Sequence, residues 1–472
     1  MQTRDLIVHE WKTRLARPAA ITSLLLFALA LVYGAFNGAA YRNAQARIIA
    51  AHETEVADAM NHWRTDLQVL EQGKPDSKVP PWAGSPMDAM FASSLPPAAL
   101  ADFAIGQGDL LPYFGSLSLW DPDIRLFSKY ELADPVALAL GGFDMSKAVL
   151  LLSPLLLIIL TFDVLSAERD AKRLTLTLVQ GPSIESLFWR RLLIRSGVVL
   201  APILLVSATA AVMNSADGRF IHYLLWLLGT CCYFVFWIAL IGSVASRNAR
   251  GVSNVLVLLL AWAGLTLVLP AVVSAVSETA YPLPSRLAYL AHGREVEIDT
   301  ELAEPAITQQ LVQDHPELFV ADASAIPPYV RTAYLVTSMV DKATRKILAE
   351  FEQAAQRRER ALAMLRYVSP TVIMHGFFND VAGSSTARQR RYVAQARAFK
   401  SAYAKQAAGY ILMGERLPSA AAAELPKFQF ADTRWPSIVR SHVSALLVLV
   451  VMTSLLLLLA RRRVSRVGML DA

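Results

Sequence analysis

The sequence has 472 residues, of which 54% are hydrophobic and only 18% are charged, with a net charge of +6. Soluble domains usually carry about 25% charged residues, so this composition favours a polytopic membrane protein over a large soluble core. The positive charge does not indicate nucleic acid, because the arginines flank apolar runs, where membrane topology places them. Adjacent Cys231 and Cys232 lie inside an apolar run, which excludes a disulfide framework and a zinc site.

Six charge-poor runs are long enough for membrane helices, which need about 20 apolar residues each. We predict spans at residues 18–41, 148–167, 196–216, 220–246, 251–277 and 441–460. Lys and Arg cluster before span 1, between spans 2 and 3, between spans 4 and 5, and after span 6. Both termini are therefore expected in the cytoplasm. The first run is too long for a signal peptide and is expected to be a retained anchor.

Two long loops, residues 42–147 and 278–440, are then expected outside the cytoplasm as mostly helical insertions in an all-α fold. Residues 40–72 have helical periodicity, and helices are also predicted over 327–367 and 386–412. Their apolar stripes are typical of packing between helices. The stripes comprise Tyr334, Leu335, Met339, Ile347 and Phe351 in one helix, and Tyr392, Phe399, Tyr403 and Ile411 in the other.

The cytoplasmic segments carry two amphipathic patterns. Residues 1–17 place four apolar side chains on one helix face, namely Leu6, Ile7, Trp11 and Leu15. Within the loop 168–195, Ser183 can cap a short helix over 184–194 that alternates Leu187 and Phe188 with Arg190 and Arg191. Helices of this kind lie in the membrane interface or fit a groove on a partner protein. The short tail at 461–472 is also expected in the cytoplasm.

Nucleotide-binding and common hydrolase motifs are absent from the sequence, so any energy from ATP must come from another polypeptide. His52, Glu55 and His62, with Asp58 nearby, are weak metal-ligand candidates, and a solvated helix face is the favoured interpretation. Asp163 is expected at the cytoplasmic edge of span 2, either interfacial or paired with a neighbouring helix. His222 and His442 are interpreted as interfacial residues.

Two stretches of the sequence resemble a known family. Leu165–Arg191 (LSAERDAKRLTLTLVQGPSIESLFWRR) resembles the permease subunits of ABC-2 type transporters, with their glutamate-arginine pair, threonine-leucine stretch and proline-led coupling helix. Lys172-Arg173 stand where the family usually has a glycine. Leu95–Ser118 and Asp134–Asp144 (DPVALALGGFD) resemble the outer loop of a subgroup with a large domain of unknown function. Two later dipeptides, Ser369-Pro370 and Ala382-Gly383, also fit that subgroup.

The resemblance implies a permease subunit in the bacterial inner membrane, paired with an identical or paralogous permease and two ATPase subunits. ATP and Mg would bind to those ATPases, with no cofactor in this chain, and we expect export. Residues 1–17 would form an interfacial elbow, and a periplasmic protein is a further candidate partner. The implied coupling residues, of which Phe188 and Arg191 are expected to face the ATPase, are Glu168, Arg169, Pro182, Ile184, Leu187, Phe188, Arg190 and Arg191.

Two other functions stay open. One is a mechanical or assembly device, in which ATP-driven motion of the spans reaches the outer domains and nothing crosses the bilayer. The large insertions, together over half the chain, make this a serious alternative to transport. The other is an enzyme with its site in the outer loops, which is disfavoured because no nucleophile and base pattern is recognisable.

Overall fold

The computed structural model describes residues 3–73, 78–80, 83–106, 108, 111–126, 142–170, 183–213, 218–247, 249–282 and 325–470, with isolated residues between 291 and 309. The described chain is all-α in class, as predicted, apart from one two-stranded sheet that the sequence did not indicate. The first six helices are α1 (Thr3–Glu10), α2 (Pro18–Glu71), α3 (Met145–Thr161), α4 (Ser166–Asp170), α5 (Ile184–Met213) and α6 (Arg219–Ala245). They are followed by α7 (Gly251–Ala280), α8 (Pro328–Leu365), α9 (Pro370–Ala382), α10 (Thr386–Met413), α11 (Ser419–Ala423) and α12 (Trp435–Leu470).

Five of these helices, α2, α5, α6, α7 and α12, are long and apolar enough to cross a membrane. The sixth predicted span corresponds to α3, which is shorter and ends at Thr161, six residues before the predicted boundary. Its first turns, Ala148–Leu152, are wound as a π-helix, and Phe162–Leu165 form a turn before α4. These helices share one apolar cluster whose largest buried side chains include Trp226 and Trp237.

Helix α2 continues without interruption far beyond the predicted first span. No proline or glycine pair interrupts the sequence after Pro18, and alanine-rich turns follow residue 41. At 1.5 Å per residue the helix is about 80 Å long, against about 30 Å for a hydrocarbon core. Its second half therefore leaves the membrane region and becomes part of the large insertion.

Helix α5 corrects the prediction of a separate coupling helix. Residues 184–194 are the first turns of a continuous helix that ends at Met213, rather than an isolated element before a span. Arg195, Ser196 and Gly197 provide no strong break, since a single glycine costs only about 1 kcal/mol in a helix. The interior Pro202 is also tolerated in this helix.

The large insertion forms its own core, which we call the insertion domain. It combines the second half of α2, the first part of α8, α10 and the antiparallel sheet of β1 (Phe91–Ser94) and β2 (Phe114–Leu117). Tyr392, Tyr403 and Ile411 are buried on one face of α10, so the predicted packing role of that stripe is confirmed. The Tyr392 hydroxyl lies 3.0 Å from the Ser93 hydroxyl and joins α10 to the sheet.

Helix α9 corrects the assignment of all of residues 278–440 to an outer domain, because it packs against α6 and α12. The Thr371 hydroxyl, at the start of α9, lies 3.1 Å from the Tyr233 hydroxyl in α6. Tyr233 is about 21 Å along the helix axis from Arg219, at 1.5 Å per residue. The helix thus descends among the spans from the insertion domain.

The membrane region has two opposite ends, which these contacts distinguish. The domain end is the one that carries the insertion domain, next to the start of α6. The basic end is the opposite one, where α1, α4, the start of α5 and the end of α12 come together.

A buried ion cluster as the candidate functional site

Five charged side chains meet at the basic end, in what we call the ion cluster. They come from three segments that are distant in sequence: the N-terminal segment, the turn after α3, and the first half of α5. The members are Glu10, Arg14, Asp163, Arg191 and Arg195.

Glu10 ends α1 and uses both carboxylate oxygens within the ion cluster. Its Oε1 lies 3.0 Å from Arg191 Nε, and its Oε2 accepts a hydrogen bond of 2.7 Å from Arg195 Nε. The three side chains are 2–3% exposed, so all three charges are removed from water. Arg191 and Arg195 are four residues apart, which places both guanidinium groups on one face of α5.

Asp163 holds the other side of the ion cluster. Its Oδ1 accepts a hydrogen bond of 2.7 Å from Arg195 Nη1, and its Oδ2 lies 2.7 Å from Arg14 Nη1. Arg195 Nη1 also donates to the Leu160 carbonyl at 3.1 Å, near the end of α3. Asp163 is therefore paired with neighbouring elements, which was one of the two expectations from the sequence.

The ion cluster is most stable when every charged side chain in it keeps its oppositely charged partner. Among the contacts that the structure describes, three guanidinium groups face two carboxylates, and Arg14, 28% exposed, is partly open to solvent. Removing one partner of a buried pair costs about 3–5 kcal/mol, because the other charge stays buried without compensation. The arrangement binds three elements of the chain into one unit.

Two of the four predicted elbow residues are buried in the protein, and the other two are exposed. Leu6 and Leu15 are buried, on the same side as Glu10, whereas Ile7 and Trp11 are about half exposed. An exposed tryptophan beside apolar neighbours is typical of a membrane interface. The N-terminal segment thus has one face on the protein and one face free for lipid.

The predicted coupling residues are mostly buried within the chain itself. Ile184, Leu187 and Phe188 belong to its apolar packing, and Arg191 is a member of the ion cluster. The expectation that Phe188 and Arg191 face a partner is wrong, because their side chains are 0% and 3% exposed.

The remaining coupling residues lie elsewhere at the basic end. Arg190 is exposed on α5, and Arg169 Nη2 donates to the Ala249 carbonyl at 2.6 Å. Glu168 belongs to α4, although its side chain lies outside the described part of the chain. Pro182 and the threonine-leucine stretch lie outside the described residues.

The end of α12 completes the surface of the basic end. Arg461 Nε lies 3.1 Å from Glu185 Oε1 at the start of α5, and Arg463 Nη1 donates to the Ser243 carbonyl at 2.8 Å. Val464 is fully buried. The last helix therefore supports the first turns of α5 and the end of α6.

A chain of polar contacts runs from α3 through α6 to α9. The π-helical turn of α3 has carbonyls that accept from other helices: Leu150 from the Tyr233 hydroxyl at 2.8 Å, and Leu151 from Trp262 Nε1 at 3.1 Å. Tyr233 also contacts α9 through Thr371. π-Helical turns often mark functional positions in membrane helices, and this one joins α6, α7 and α9.

Two ion pairs fasten the domain end. Arg219 binds Asp102 through two hydrogen bonds of 2.9 and 2.7 Å, and it also donates to carbonyls at the end of α5. His442, in α12, lies 2.6 Å from Asp380 of α9 and is buried rather than interfacial. Gly38 allows the loop to approach α2, since a Cβ there would be 1.9 Å from the Asp102 carbonyl oxygen.

The metal candidates do not come together. His52 and His62 are separated by about 15 Å along α2 at 1.5 Å per residue, too far for one ion. The His52 ring packs on Phe114 at a centroid distance of 4.9 Å, while Glu55 and His62 are exposed. Among the residues that the structure describes, no three His, Cys, Asp or Glu side chains are placed to hold a metal ion.

Comparison with known proteins connects one part of the chain to a family. Residues 286–431, just under a third of the chain, match a family described as "Domain of unknown function (DUF3526)". The match includes α8, α9, α10 and α11, and it leaves the ion cluster outside. Comparison with curated proteins and with solved structures finds no match.

Proposed function

We propose that the chain is the membrane-spanning permease subunit of an ABC-2 type transporter, driven by a separate ATPase that binds at the basic end. The observation that carries the proposal is the ion cluster. It joins the elbow segment, the end of the second span and the start of the third, which are the segments that the family resemblance assigns to energy input.

In this proposal the chain crosses the bacterial inner membrane six times, with α3 as the short second span. Both termini and the basic end are cytoplasmic, and the insertion domain lies in the periplasm. Two copies, or this chain and a paralogue, pair with two ATPase subunits that carry ATP and Mg.

The burial of Phe188 and Arg191 changes the proposed docking surface. The ATPase would contact exposed groups of the basic end, above all Arg190 on α5. The ion cluster lies directly behind that surface and would pass movement to α1 and α3. Since a buried charged network is costly to open, it would move as one body rather than deform.

The polar contacts between α3, α6 and α9 support a second candidate function. They connect the spans to α9, which leads into α10 of the insertion domain, so ATP-driven movement could act on periplasmic partners without transport. Substitutions that line a central cavity between two permeases distinguish the candidates. They should change substrate flux in a transporter and have no effect in a purely mechanical device.

Co-purification tests the proposal. The chain, tagged at its C-terminus and gently extracted from its native membrane, should bring a P-loop ATPase that is identified by mass spectrometry. Arg190→Glu should weaken this association, whereas Arg357→Glu, an exposed substitution on α8, should leave it unchanged. Recovery of the chain without any ATPase in several mild detergents would contradict the proposal.

A further inference from the structure

A groove of about 640 Å³ opens on the insertion domain, away from the ion cluster and the spans. One wall is α2 between Ala50 and Arg64, and the other is the segment Leu425–Gln429. Residues of β1 lie between these walls. The volume falls within the range of ligand-binding sites, which is about 300–1,000 Å³.

The floor of the groove is apolar and its rim carries charges of both signs. Val56, Met60 and Phe91 are among the buried side chains at its base. Glu53 lies on the α2 wall, where it accepts a hydrogen bond from Ser94, and Lys427 is exposed on the other wall. A rim of mixed charge does not select a small anion or cation.

The edge of β1 supplies main-chain hydrogen-bonding groups at the groove. The Leu95 N–H donates to the Tyr113 carbonyl, and the register pairs Phe91 with Leu117. In an antiparallel ladder, hydrogen-bonded residue pairs alternate with pairs that are not hydrogen-bonded. Since Leu95 is in a bonded pair, Ser93 and Phe91 are too, and Ala92 is not. The N–H and C=O of Ala92 therefore point away from β2. Within the described part of the chain, no hydrogen bond to the N–H or the C=O of Ala92 is found. Ala92 also lines the groove, so both groups are available there.

The opposite wall has no regular secondary structure, and no described strand pairs with it. In the part of the chain that the structure describes, no main-chain hydrogen bond involves residues 425–430. A polypeptide strand placed between this wall and β1 would have hydrogen-bonding groups beside it and apolar side chains below. The α2 wall is about 21 Å long at 1.5 Å per residue, which matches about six strand residues.

We propose that the groove binds an extended segment of a second protein, which adds to β1 as a third strand. Successive strand side chains alternate between faces, so every second residue of the segment would be apolar and would contact Val56, Met60 and Phe91. The remaining residues of the segment would face the opposite wall, which carries Lys427. Strand addition of this kind obtains affinity from the main chain and specificity from alternate side chains.

A peptide-binding measurement on the full chain in lipid nanodiscs tests this proposal. The probes are fluorescent heptapeptides in which apolar residues alternate with Ser, Thr or Lys, and binding is followed by fluorescence anisotropy. Ala92→Pro removes the outward N–H while sparing the ladder to β2, and Ala92→Val keeps that N–H. Proline should weaken the bound peptides about tenfold, and valine should change their affinity less than twofold.

A second pair of variants keeps the test decisive if Ala92→Pro does not fold. Ala57 and Ala59 are both exposed on α2, but only Ala57 lines the groove. Ala57→Trp should abolish peptide binding, and Ala59→Trp should leave it unchanged. The proposal is overturned if no peptide binds, if the two tryptophan variants bind equally, or if a folded Ala92→Pro binds as the wild type does.

A lipid-like occupant would give a different result. In that case a fluorescent long-chain fatty acid would bind in a manner blocked by Ala57→Trp, and the peptides would not bind; this also overturns the proposal. The measurement uses no ATPase, so its outcome is independent of the proposed transport function.

Discussion

Replacing Glu10 by glutamine tests whether the ion cluster holds the elbow segment in place. The substitution keeps the size of the side chain and removes one buried negative charge. Arg191 then loses its 3.0 Å carboxylate contact, and Arg195 keeps Asp163 alone, which it shares with Arg14.

The expected cost follows from burial. Removing one partner of a buried ion pair costs about 3–5 kcal/mol. Glutamine still offers one oxygen as an acceptor, so the lower end, about 3 kcal/mol, is expected for Glu10→Gln. Since 1.4 kcal/mol corresponds to a factor of ten, local opening of α1 should become about a hundredfold more frequent.

Hydrogen exchange measured by mass spectrometry on residues 3–15 in lipid nanodiscs provides the assay. Local opening of a helix appears directly as faster amide exchange. Asp5→Asn is the matched control, because Asp5 is exposed on the same helix and exposed pairs contribute little. Exchange in Glu10→Gln within threefold of the wild type would refute the assigned role of the ion cluster.

Three further predictions concern the insertion domain. Gly383→Ala should lower the free energy of unfolding by at least about 1 kcal/mol, because φ is +75° and a Cβ would be 2.2 Å from that of Ala98. In contrast, Gly409→Ala in an open part of α10 should raise it by about 0.5–1 kcal/mol; equal thermal shifts would contradict this. Tyr392→Phe should cost about 0.5–1.5 kcal/mol by removing the hydrogen bonds of the tyrosine hydroxyl to Ser93, which urea unfolding measures and a neutral result would disprove. Burial raises the pKa of Asp341 above its usual value, opposed by Lys400, so protonation favours the folded state. The stability of the wild type relative to Asp341→Asn should therefore fall as the pH rises through that raised pKa, and a constant difference from pH 4 to 7 would contradict it.

Periodicity and charge predicted the long helices but not the short α9 or the sheet. Apolar runs predicted helices at α2, α5, α6, α7 and α12, and the stripe in α10 predicted its buried face. These patterns depend on local sequence, which determines helix length and which side is apolar.

The ion cluster could not be predicted from local sequence patterns, because its members are far apart in the chain. Glu10 looked like one polar residue of an amphipathic helix, and Arg195 looked like a topology signal. Asp163 was the available clue, since a carboxylate next to an apolar run usually has a partner. Only tertiary packing shows that all three meet.

The same limit explains the errors at α5 and α9. The basic side chains of α5 suggested exposure, but two of them pair with carboxylates inside the protein. The apolar α9 is only 13 residues long, too short to be recognised as a span. Its descent among the spans is fixed by contacts with α6 and α12.

The most direct test of the central claim is hydrogen exchange on the co-purified assembly with and without ATP. If energy enters at the basic end and reaches the insertion domain, ATP should change exchange both in residues 3–17 and in residues 369–383. Changes at the two places should disappear together when the partner ATPase is inactivated. Unchanged exchange in both segments, with ATP hydrolysis intact, would contradict the account.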